Sequence, residues 1–426
     1  MNKNSFSKFF LYFCFFFSFF LIIITENYKY INSKPVIFLL FFNFIIIASF
    51  FFKKIRFIIY INLFIFLVLT YLVNFFLFMK NPALVLGSDK LDYINKINKE
   101  KKIIYPDIPP ITFLSQQDDF LPLSGLSDVL TVTSNEDGYW GKYMSDEYGF
   151  NNEKNQFDKL KRSNNTKLIF LGDSMTQGSA VNQEDNFVSL LNKDINIDAL
   201  NLGYGGNGLL LSLATYIEFG KDIENSLVFF CFYEGNDFFE YEVEEKKNIL
   251  LNRYLNSGFK QNLKEKNQLK DNIVTKKIKK DEILIKKNSY FNNFLFYTTE
   301  LIKLNSIRKL TGLLNNKKEY YAFSEENYEK FNEIIKILKK NVEESNSKLI
   351  FIYVPAREHF YQGSPYNKPY LKIKNIVSNN KIPMIDLYKE ITTKVNHFDL
   401  FPSGIMRHFN KSGHLFVSQI IKENIK

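Results

Sequence analysis

Only two cysteines, Cys14 and Cys231, occur in the 426 residues of this chain. Cys14 lies in an apolar run and Cys231 in a predicted buried strand, which argues against a disulfide between them. The sequence has no Cys-x-x-Cys motif and no spaced set of histidines and cysteines, so we predict no structural metal site and no metal or organic cofactor. So few cysteines neither require nor exclude an oxidising compartment.

The chain also lacks the basic stripe that is typical of nucleic-acid-binding proteins. Its net charge is +10, but acidic residues are interspersed among the lysines, and the lysines do not alternate with exposed aromatic residues. We therefore predict no nucleic-acid partner. The positive balance instead favours solubility and some attraction to anionic membrane or glycan surfaces.

Polar faces are missing from three apolar blocks in the first eighty residues, at about 9–24, 35–52 and 57–79. Core helices of soluble proteins usually keep a polar side, whereas these blocks are apolar all round. No small-residue cleavage site follows the first block, which argues against a signal peptide. Since a helix needs about 20 apolar residues to cross a bilayer, we predict three transmembrane helices at these positions.

The charges that flank these blocks indicate an orientation. Lys3 and Lys8 precede the first block, and Lys53, Lys54 and Arg56 fill the connection before the third. The positive-inside rule places both groups in the cytoplasm. Three spans then place the rest of the chain on the opposite side of the membrane.

A polar link and lead-in at 81–165 precedes the main domain, which we predict at 166–426. The link reads as irregular, and its part at 122–152 as ordered loop or short strands packed on that domain. Beyond it, short apolar runs alternate with helical patterns, and this alternation predicts a parallel sheet with helices on both faces. An insertion at about 241–318 interrupts the alternation and is interpreted either as a helical cap or as a solvated, partly disordered segment.

The predicted elements of the main domain are short. The strands are Leu168–Leu171, Ala199–Leu202, Leu227–Tyr233, Leu349–Val354 and Met384–Leu387. The helices are Asn186–Lys193, Leu209–Phe219, Ser324–Val342 and Ser412–Ile425.

Residues that could take part in catalysis follow several of these strands. Ser174 follows the first strand, a glycine-rich turn containing Gly206 follows the second, and Asn236 follows the third, while His408 lies near the C-terminus. The carboxyl ends of parallel strands meet at one edge of a sheet, where ligands of such folds bind. Acyl transfer needs a hydroxyl nucleophile, a base and donors for an oxyanion, and these residue types could supply all three.

These blocks resemble, in order, those of the SGNH hydrolases, also called the GDSL family. The resemblance rests on Gly172-Asp173-Ser174, the turn at Gly206, the run 235–237 and His408, and it covers roughly residues 165–426. The stretch 145–152 also looks like the lead-in of membrane-anchored bacterial members. The resemblance implies a three-layer α/β/α, flavodoxin-like domain with a parallel sheet, preceded by transmembrane helices.

The resemblance also implies roles for single residues. Ser174 would be the nucleophile, and His408 the general base. The backbone N–H groups of Ser174 and Gly206, with the side chain of Asn236, would form the oxyanion hole. His414 is the rival base, but it follows a predicted helix cap and is expected at the start of the last helix.

The sequence departs from the family pattern at two positions. Ile405 stands where the family usually has an aspartate, so a Ser-His dyad, or a triad completed by Asp399, both stay open. Glu234 occupies a position that is often glycine, which affects the predicted shape of the pocket but not its chemistry. The two other histidines, His359 and His397, lack a motif and are interpreted as surface residues.

The resemblance and the predicted topology together imply a function. We expect a membrane-anchored serine esterase or O-acyltransferase that acts on ester-linked acyl groups, above all acetyl, of a cell-envelope glycan. It would lie in a bacterial inner membrane, with the catalytic domain on the extracytoplasmic side. Its partners would be the bilayer and an acylated glycan. The alternative is a catalytically inactive domain of the same fold that binds glycan or scaffolds envelope assembly.

Overall fold

The computed structural model describes residues 56–79, 87–100, 103–115, 119–304, 306–307, 323–361, 364, 366–402 and 407–425. The first two predicted transmembrane helices and Ile405 lie outside these ranges. The chain divides into two compact units. One comprises Met1–Lys80 and Tyr297–Leu313, and the other comprises Asn81–Phe296 and Leu314–Lys426.

The first unit contains helix α1, Arg56–Met79, which corresponds to the third predicted span. Its 21 residues Phe57–Leu77 are long and apolar enough to cross a membrane, by length and composition alone. Large apolar side chains on α1 are exposed, Phe66, Leu69 and Phe76 among them. Such a surface suits lipid better than water.

Helices of the second unit flank two sheets. They are α2 (Gly87–Lys99), α3 (Gln156–Arg162), α4 (Ser174–Gln177), α5 (Phe187–Leu191), α6 (Leu209–Thr215), α7 (Asp237–Val243), α8 (Ile249–Asn252), α9 (Asn267–Ile302, which continues into the first unit), α10 (Glu325–Glu343), α11 (Asn367–Asn379), α12 (Leu387–Lys394) and α13 (Lys411–Asn424). Short 3-10 turns lie at Pro110–Phe113, Gln183–Asp185, Glu245–Lys247, Arg253–Leu255, Arg357–Phe360 and His397–Leu400, and a π-helical turn at Tyr216–Gly220.

Two sheets are present in the described part of the chain. The small sheet consists of β1 (Ile104–Pro106), β2 (Leu130–Asn135) and β3 (Trp140–Met144). The large sheet consists of β4 (Thr166–Gly172), β5 (Ile197–Asn201), β6 (Ser226–Tyr233), β7 (Lys348–Val354) and β8 (Met384–Asp386). Its order is β5-β4-β6-β7-β8, and every pairing is parallel. The predicted parallel α/β fold is confirmed.

Alternate side chains of the large sheet point to its two faces, and helices cover both faces, which gives three layers. In β4, Ile169 and Leu171 face one apolar core, while Leu168 and Phe170 face the other. Side chains from α3, α6, α10 and α11 complete the first core, and side chains from α5, α12 and α13 complete the second. A strand buried on both faces explains why its sequence is continuously apolar rather than alternating.

The link before the main sheet is more regular than its sequence indicates. Before residue 122 we predicted irregular chain, but α2 and β1 are ordered elements there. The strands β2 and β3 lie within 122–152, for which we predicted ordered loop or short strands. Leu91 and Ile94 of α2 are buried at a helical spacing, and Ile94 packs against Ile104 and Val132. This small apolar cluster stabilises a helix whose overall composition is polar.

Candidate active site

The nucleophile candidate lies in a tight turn between β4 and α4. Gly172 has φ +148°, and a Cβ at this position would lie 2.7 Å from the backbone oxygen of Cys231, so only glycine fits. Asp173 then caps α4, and its carboxylate accepts a hydrogen bond from Met175 N at 2.9 Å. Ser174 is therefore held at the first residue of a helix, at the carboxyl end of a central strand.

His408 lies against this serine. Its Nε2 is 2.8 Å from Ser174 Oγ. The rival His414 is 1% exposed, stacks on Phe187 and accepts a hydrogen bond from Phe187 N at 3.3 Å through Nδ1. Burial lowers the pKa of His414 to about 3, so this ring stays neutral and packs in the core. The structure thus places His408, and not His414, where a base must be.

A carboxylate that the sequence did not reveal completes the arrangement. Glu136 Oε1 hydrogen-bonds His408 Nδ1, and Glu136 Oε2 accepts from the backbone N–H of His408 at 3.2 Å. An ionised carboxylate can only accept, so Nδ1 carries the proton and Nε2 is left to accept from the Ser174 hydroxyl. Serine, histidine and glutamate therefore form a continuous hydrogen-bonded chain.

The small sheet positions Glu136 next to His408. Glu136 directly follows β2, at the tip of the β2–β3 hairpin. Ser134 donates to the backbone oxygen of Ser179 from its N–H at 3.0 Å and from its hydroxyl at 2.7 Å, and Thr133 also donates to that oxygen. Ser179 lies just after α4, so the hairpin is fixed to the segment that carries the nucleophile.

The structure corrects the interpretation of Asp399. Its side chain is exposed, and its backbone oxygen accepts a hydrogen bond from Asn410 Nδ2 at 3.0 Å. Glu136 occupies the place on the His408 ring that one of the two alternatives gave to Asp399. A dyad oriented by a backbone carbonyl is excluded for the same reason.

His359 was wrongly interpreted as a surface residue. It is 1% exposed, stacks on Tyr388 at 3.8 Å, and its Nδ1 lies 2.8 Å from Glu234 Oε1. Glu234 also accepts from Ala356 N at 2.7 Å and from the Tyr353 hydroxyl. Glu234, which stands where the family often has glycine, therefore forms hydrogen bonds within this buried cluster and anchors the end of the sheet. His397 is partly buried and stacks on Phe360.

The glycine turn that carries the predicted donor Gly206 approaches the serine, and the predicted donor Asn236 contacts the residue before it. Gly206 has φ +75°, and a Cβ there would lie 2.6 Å from Ile111 Cγ2, whereas a Cβ on the adjacent Gly205 would lie 3.9 Å from Ser174 Cβ. The Asn236 side chain hydrogen-bonds the Asp173 carboxylate and donates to Glu240 Oε1 at 2.7 Å. The glycine turn thus lies next to Ser174, and the Asn236 amide contacts Asp173, the residue before it.

Charge coupling between His408 and Glu136 sets their protonation. Burial alone would lower the pKa of His408, but the Glu136 carboxylate outweighs burial, and the pKa of His408 is raised above its usual value. Burial would likewise raise the pKa of Glu136, but the neighbouring His408 holds it below its usual value. Each group thus favours the charged form of the other, as an imidazolium intermediate requires.

Further buried carboxyl groups surround the nucleophile turn. Burial raises the pKa of Asp173 to about 6 and that of Glu245 to about 7. Burial also raises the pKa values of Asp237 and Glu240 well above their usual range. Glu245 accepts from Leu210 N at 2.7 Å and so holds the start of α6 beside the glycine turn. Burial therefore favours the neutral form of each of these carboxyl groups.

Asn236 offers a test of the oxyanion hole. Asn236→Ala should lower kcat for ester hydrolysis by about 10²–10³-fold, because one amide donor is lost where negative charge develops. The exposed Asn256, replaced by alanine in the same way, should leave kcat unchanged. Unaltered turnover in a folded Asn236→Ala protein, measured by acetate release, would mean that Asn236 serves only as a turn residue.

The raised pKa of His408 predicts a shifted pH profile. His408 must be neutral to accept the serine proton, so kcat/KM should fall as the pH drops through its raised pKa. The midpoint of this acidic limb should lie above about 6.5, the ordinary histidine value. In Glu136→Gln the limb should move to lower pH, since the favourable carboxylate is gone. An acidic limb that stays in place in this variant would contradict the coupling.

Clusters of metal-binding side chains are absent from the described part of the chain. There, no group of three or more histidine, cysteine, aspartate or glutamate side chains could hold a metal ion.

No family model and no curated protein matches this chain. Among solved structures, an acetyl xylan esterase matches 61% of this chain and 100% of its own, with 14% identity and a TM-score of 0.35. A catalytic mutant of an acetylxylan esterase from Geobacillus stearothermophilus matches 62% and 96%, with 12% identity and a TM-score of 0.35. A member of the lipolytic protein G-D-S-L family from Veillonella parvula matches 61% and 97%, with 10% identity and a TM-score of 0.32. These TM-scores all lie below 0.5, so a function for this chain must be argued from the site itself.

Proposed function

We propose that this chain is a serine esterase of the SGNH (GDSL) type that hydrolyses ester-linked acyl groups. One observation carries the proposal: Ser174 Oγ lies 2.8 Å from His408 Nε2, while Glu136 holds Nδ1 of the same ring. This is the hydrogen-bonded order of a nucleophile, a base and a group that orients the base. The glycine turn and Asn236 add the donors that acyl transfer needs.

The reaction proceeds from these positions. Ser174 Oγ attacks the acyl carbon while His408 Nε2 takes the hydroxyl proton, and the oxyanion is stabilised by backbone N–H groups at Ser174 and Gly206 and by Asn236. When the ester C–O bond breaks, His408 returns the proton to the departing alcohol oxygen. Water then attacks the acyl-enzyme, again giving a proton to His408, and the carboxylic acid leaves as Ser174 recovers its proton. Glu136 stabilises the imidazolium in both halves.

For the substrate, we propose acetyl esters on a cell-envelope glycan, with a sugar hydroxyl in place of water if the chain acts as an O-acyltransferase. The proposal for the glycan rests on the membrane anchor and on the family that the motifs resemble. The inactive alternative was motivated by Ile405 in the usual aspartate position. Because Glu136 supplies a carboxylate to His408, the missing aspartate is no longer a reason to favour the inactive alternative.

Acetate release provides the test of the proposed activity. The full-length chain in detergent or nanodiscs should release acetate from 4-nitrophenyl acetate and from an acetylated polysaccharide, and Ser174→Ala should not. Adding an unacetylated acceptor glycan separates the two reactions, since a transferase would acetylate it. A folded wild-type chain that releases no acetate from any ester would contradict the proposal.

We also propose that α1 and the two apolar blocks before it anchor the chain in a bacterial inner membrane, with the catalytic unit outside the cytoplasm. An alkaline phosphatase fusion after Met79 should then be active in a bacterial host, because three spans from a cytoplasmic N-terminus export the fused enzyme. A fusion after Lys54 should be inactive, since that connection is predicted to be cytoplasmic. The opposite pattern of activities would overturn the sidedness.

A further inference from the structure

An asparagine in the membrane-helix candidate α1 is completely buried. Asn74 is 0% exposed. Its Nδ2 donates to the backbone oxygen of Leu301 at 3.3 Å, and its Oδ1 accepts from the backbone N–H of Ile307 at 3.3 Å. One turn away on α1, the Tyr71 hydroxyl donates to the backbone oxygen of Ile302 at 3.2 Å. Polar atoms of α1 thus bind backbone groups at the end of α9 and, at Ile307, just beyond it.

Asn62, on the same helix, behaves differently. Its side chain is exposed, and its Nδ2 donates to the backbone oxygen of Ile58 at 2.8 Å, one turn earlier in α1 itself. An asparagine in an apolar helix can therefore be satisfied within the helix. Asn74 instead joins two segments, as polar side chains do between packed membrane helices.

The partner segment lies in the insertion between β6 and β7, yet it belongs to the first compact unit. That unit combines Met1–Lys80 with Tyr297–Leu313. The last carbonyl groups of a helix have no partner inside the helix. Tyr71 and Asn74 donate to two such groups at the end of α9, which ends at Ile302. The side chains of α1 therefore cap α9.

The sequence of α9 changes character toward this end. The part at 271–287 is rich in lysine and acidic residues, whereas 290–302 is mostly aromatic and aliphatic, with Glu300 as its charged residue and Lys303 just beyond. Aromatic residues followed by a basic side chain are typical of segments at the membrane–water interface. A charged segment that turns aromatic along one helix is what an element passing from water to that interface would show.

We propose that the end of α9 at Leu301–Ile302, with the described residues 306–307 just beyond it, is a second membrane contact, which lies in the bilayer interface and is fixed to α1 by Asn74. This second contact depends on the proposed membrane anchoring of α1. It gives the insertion a role: the catalytic unit is tied to the bilayer both through residue 80 and through α9. Its partner is the lipid surface that surrounds α1.

Spin-label accessibility tests this proposal in the full-length chain. In a background with Cys14→Ser and Cys231→Ala, single cysteines would be placed at Phe66 on α1, at Ile302, and at the exposed Lys279 on the charged part of α9. The protein would be labelled with a nitroxide in lipid nanodiscs. Collisions with oxygen, which prefers lipid, and with a water-soluble nickel chelate would then be compared.

We expect the oxygen-to-nickel accessibility ratio at Ile302 to approach that at Phe66 and to exceed that at Lys279 several-fold. Asn74→Leu should raise the nickel accessibility and mobility of the label at Ile302, whereas Asn62→Leu, the matched control, should not. A ratio at Ile302 equal to that at Lys279, with Phe66 still in lipid, would overturn the second contact alone. Nickel access at both Phe66 and Ile302 would overturn the anchoring itself.

Discussion

Replacing Glu136 with glutamine should lower kcat for ester hydrolysis by about 10⁴-fold while the fold is retained, since an amide at this position favours the wrong imidazole tautomer. The Glu136 carboxylate accepts from the His408 ring and from the His408 backbone N–H. A glutamine can donate to Nδ1, which would move the ring proton to Nε2. That nitrogen could then no longer take the proton of Ser174.

Two control variants make this test specific. Asp137 is the exposed neighbour of Glu136 on the same hairpin, and Asp137→Asn should retain full activity. Asp399→Asn should also be silent, because the Asp399 side chain does not contact His408. Steady-state kinetics on the three variants, with folding checked by circular dichroism, decides between them. A large loss of kcat in Asp399→Asn together with full activity in Glu136→Gln would show that the carboxylate assignment is wrong.

Loss of Ser174 or of His408 should be still more severe. Each alanine variant should lose about 10⁶-fold in kcat, and the double variant should lose no more than either single one, because nucleophile and base act as one unit. The 2.8 Å contact between Ser174 Oγ and His408 Nε2 is the structural reason for this non-additivity. Single-turnover rates for the two single variants and the double variant measure it.

His414→Ala is the matched control for the histidine. His414 is packed against Phe187 in the core, so its replacement should lower the melting temperature and leave kcat of the folded fraction largely intact. Multiplicative losses in the Ser174 and His408 double variant would show that the two residues act separately. An inactive His414→Ala beside an active His408→Ala would reverse the assignment of the base.

The sheet was predictable because its strands are buried on both faces. Runs such as Leu168–Leu171 and Leu227–Tyr233 are apolar at every position, and a parallel sheet between two helical layers requires this. The observed strands Thr166–Gly172 and Ser226–Tyr233 extend these runs by one or two residues at their ends. Serine, glycine and asparagine follow such strands. These residue types also allowed us to predict the edge of the sheet at which the site forms.

Glu136 was not predictable from the same patterns. It lies 272 residues from His408 in sequence, and its setting, Ser134-Asn135-Glu136-Asp137-Gly138, reads as an ordinary hairpin turn. Only the packing of the small sheet on Ser179 brings it to the imidazole. The burial of His359 was missed for a similar reason, because its partner Glu234 lies 125 residues away and pairs with it only in the folded chain.

α2 is a helix that the sequence analysis missed because its local composition is polar. Gly87–Lys99 is polar overall and was interpreted as irregular link. A few apolar residues suffice to bury one side of it: Ile94 and Ile97 pack against β1 and β2, and Leu91 is buried as well. The stabilising partners Ile104 and Val132 come later in the sequence, so the local composition underestimates the order of this segment.

Covalent labelling tests the central claim, that His408 and Glu136 activate Ser174, most directly. The full-length chain would be treated with a fluorophosphonate, and the modified residue identified by peptide mass spectrometry. The claim predicts modification of Ser174, none in Ser174→Ala, and much slower modification in Glu136→Gln than in Asp137→Asn. A folded chain that is modified at another serine, or not at all, would contradict it.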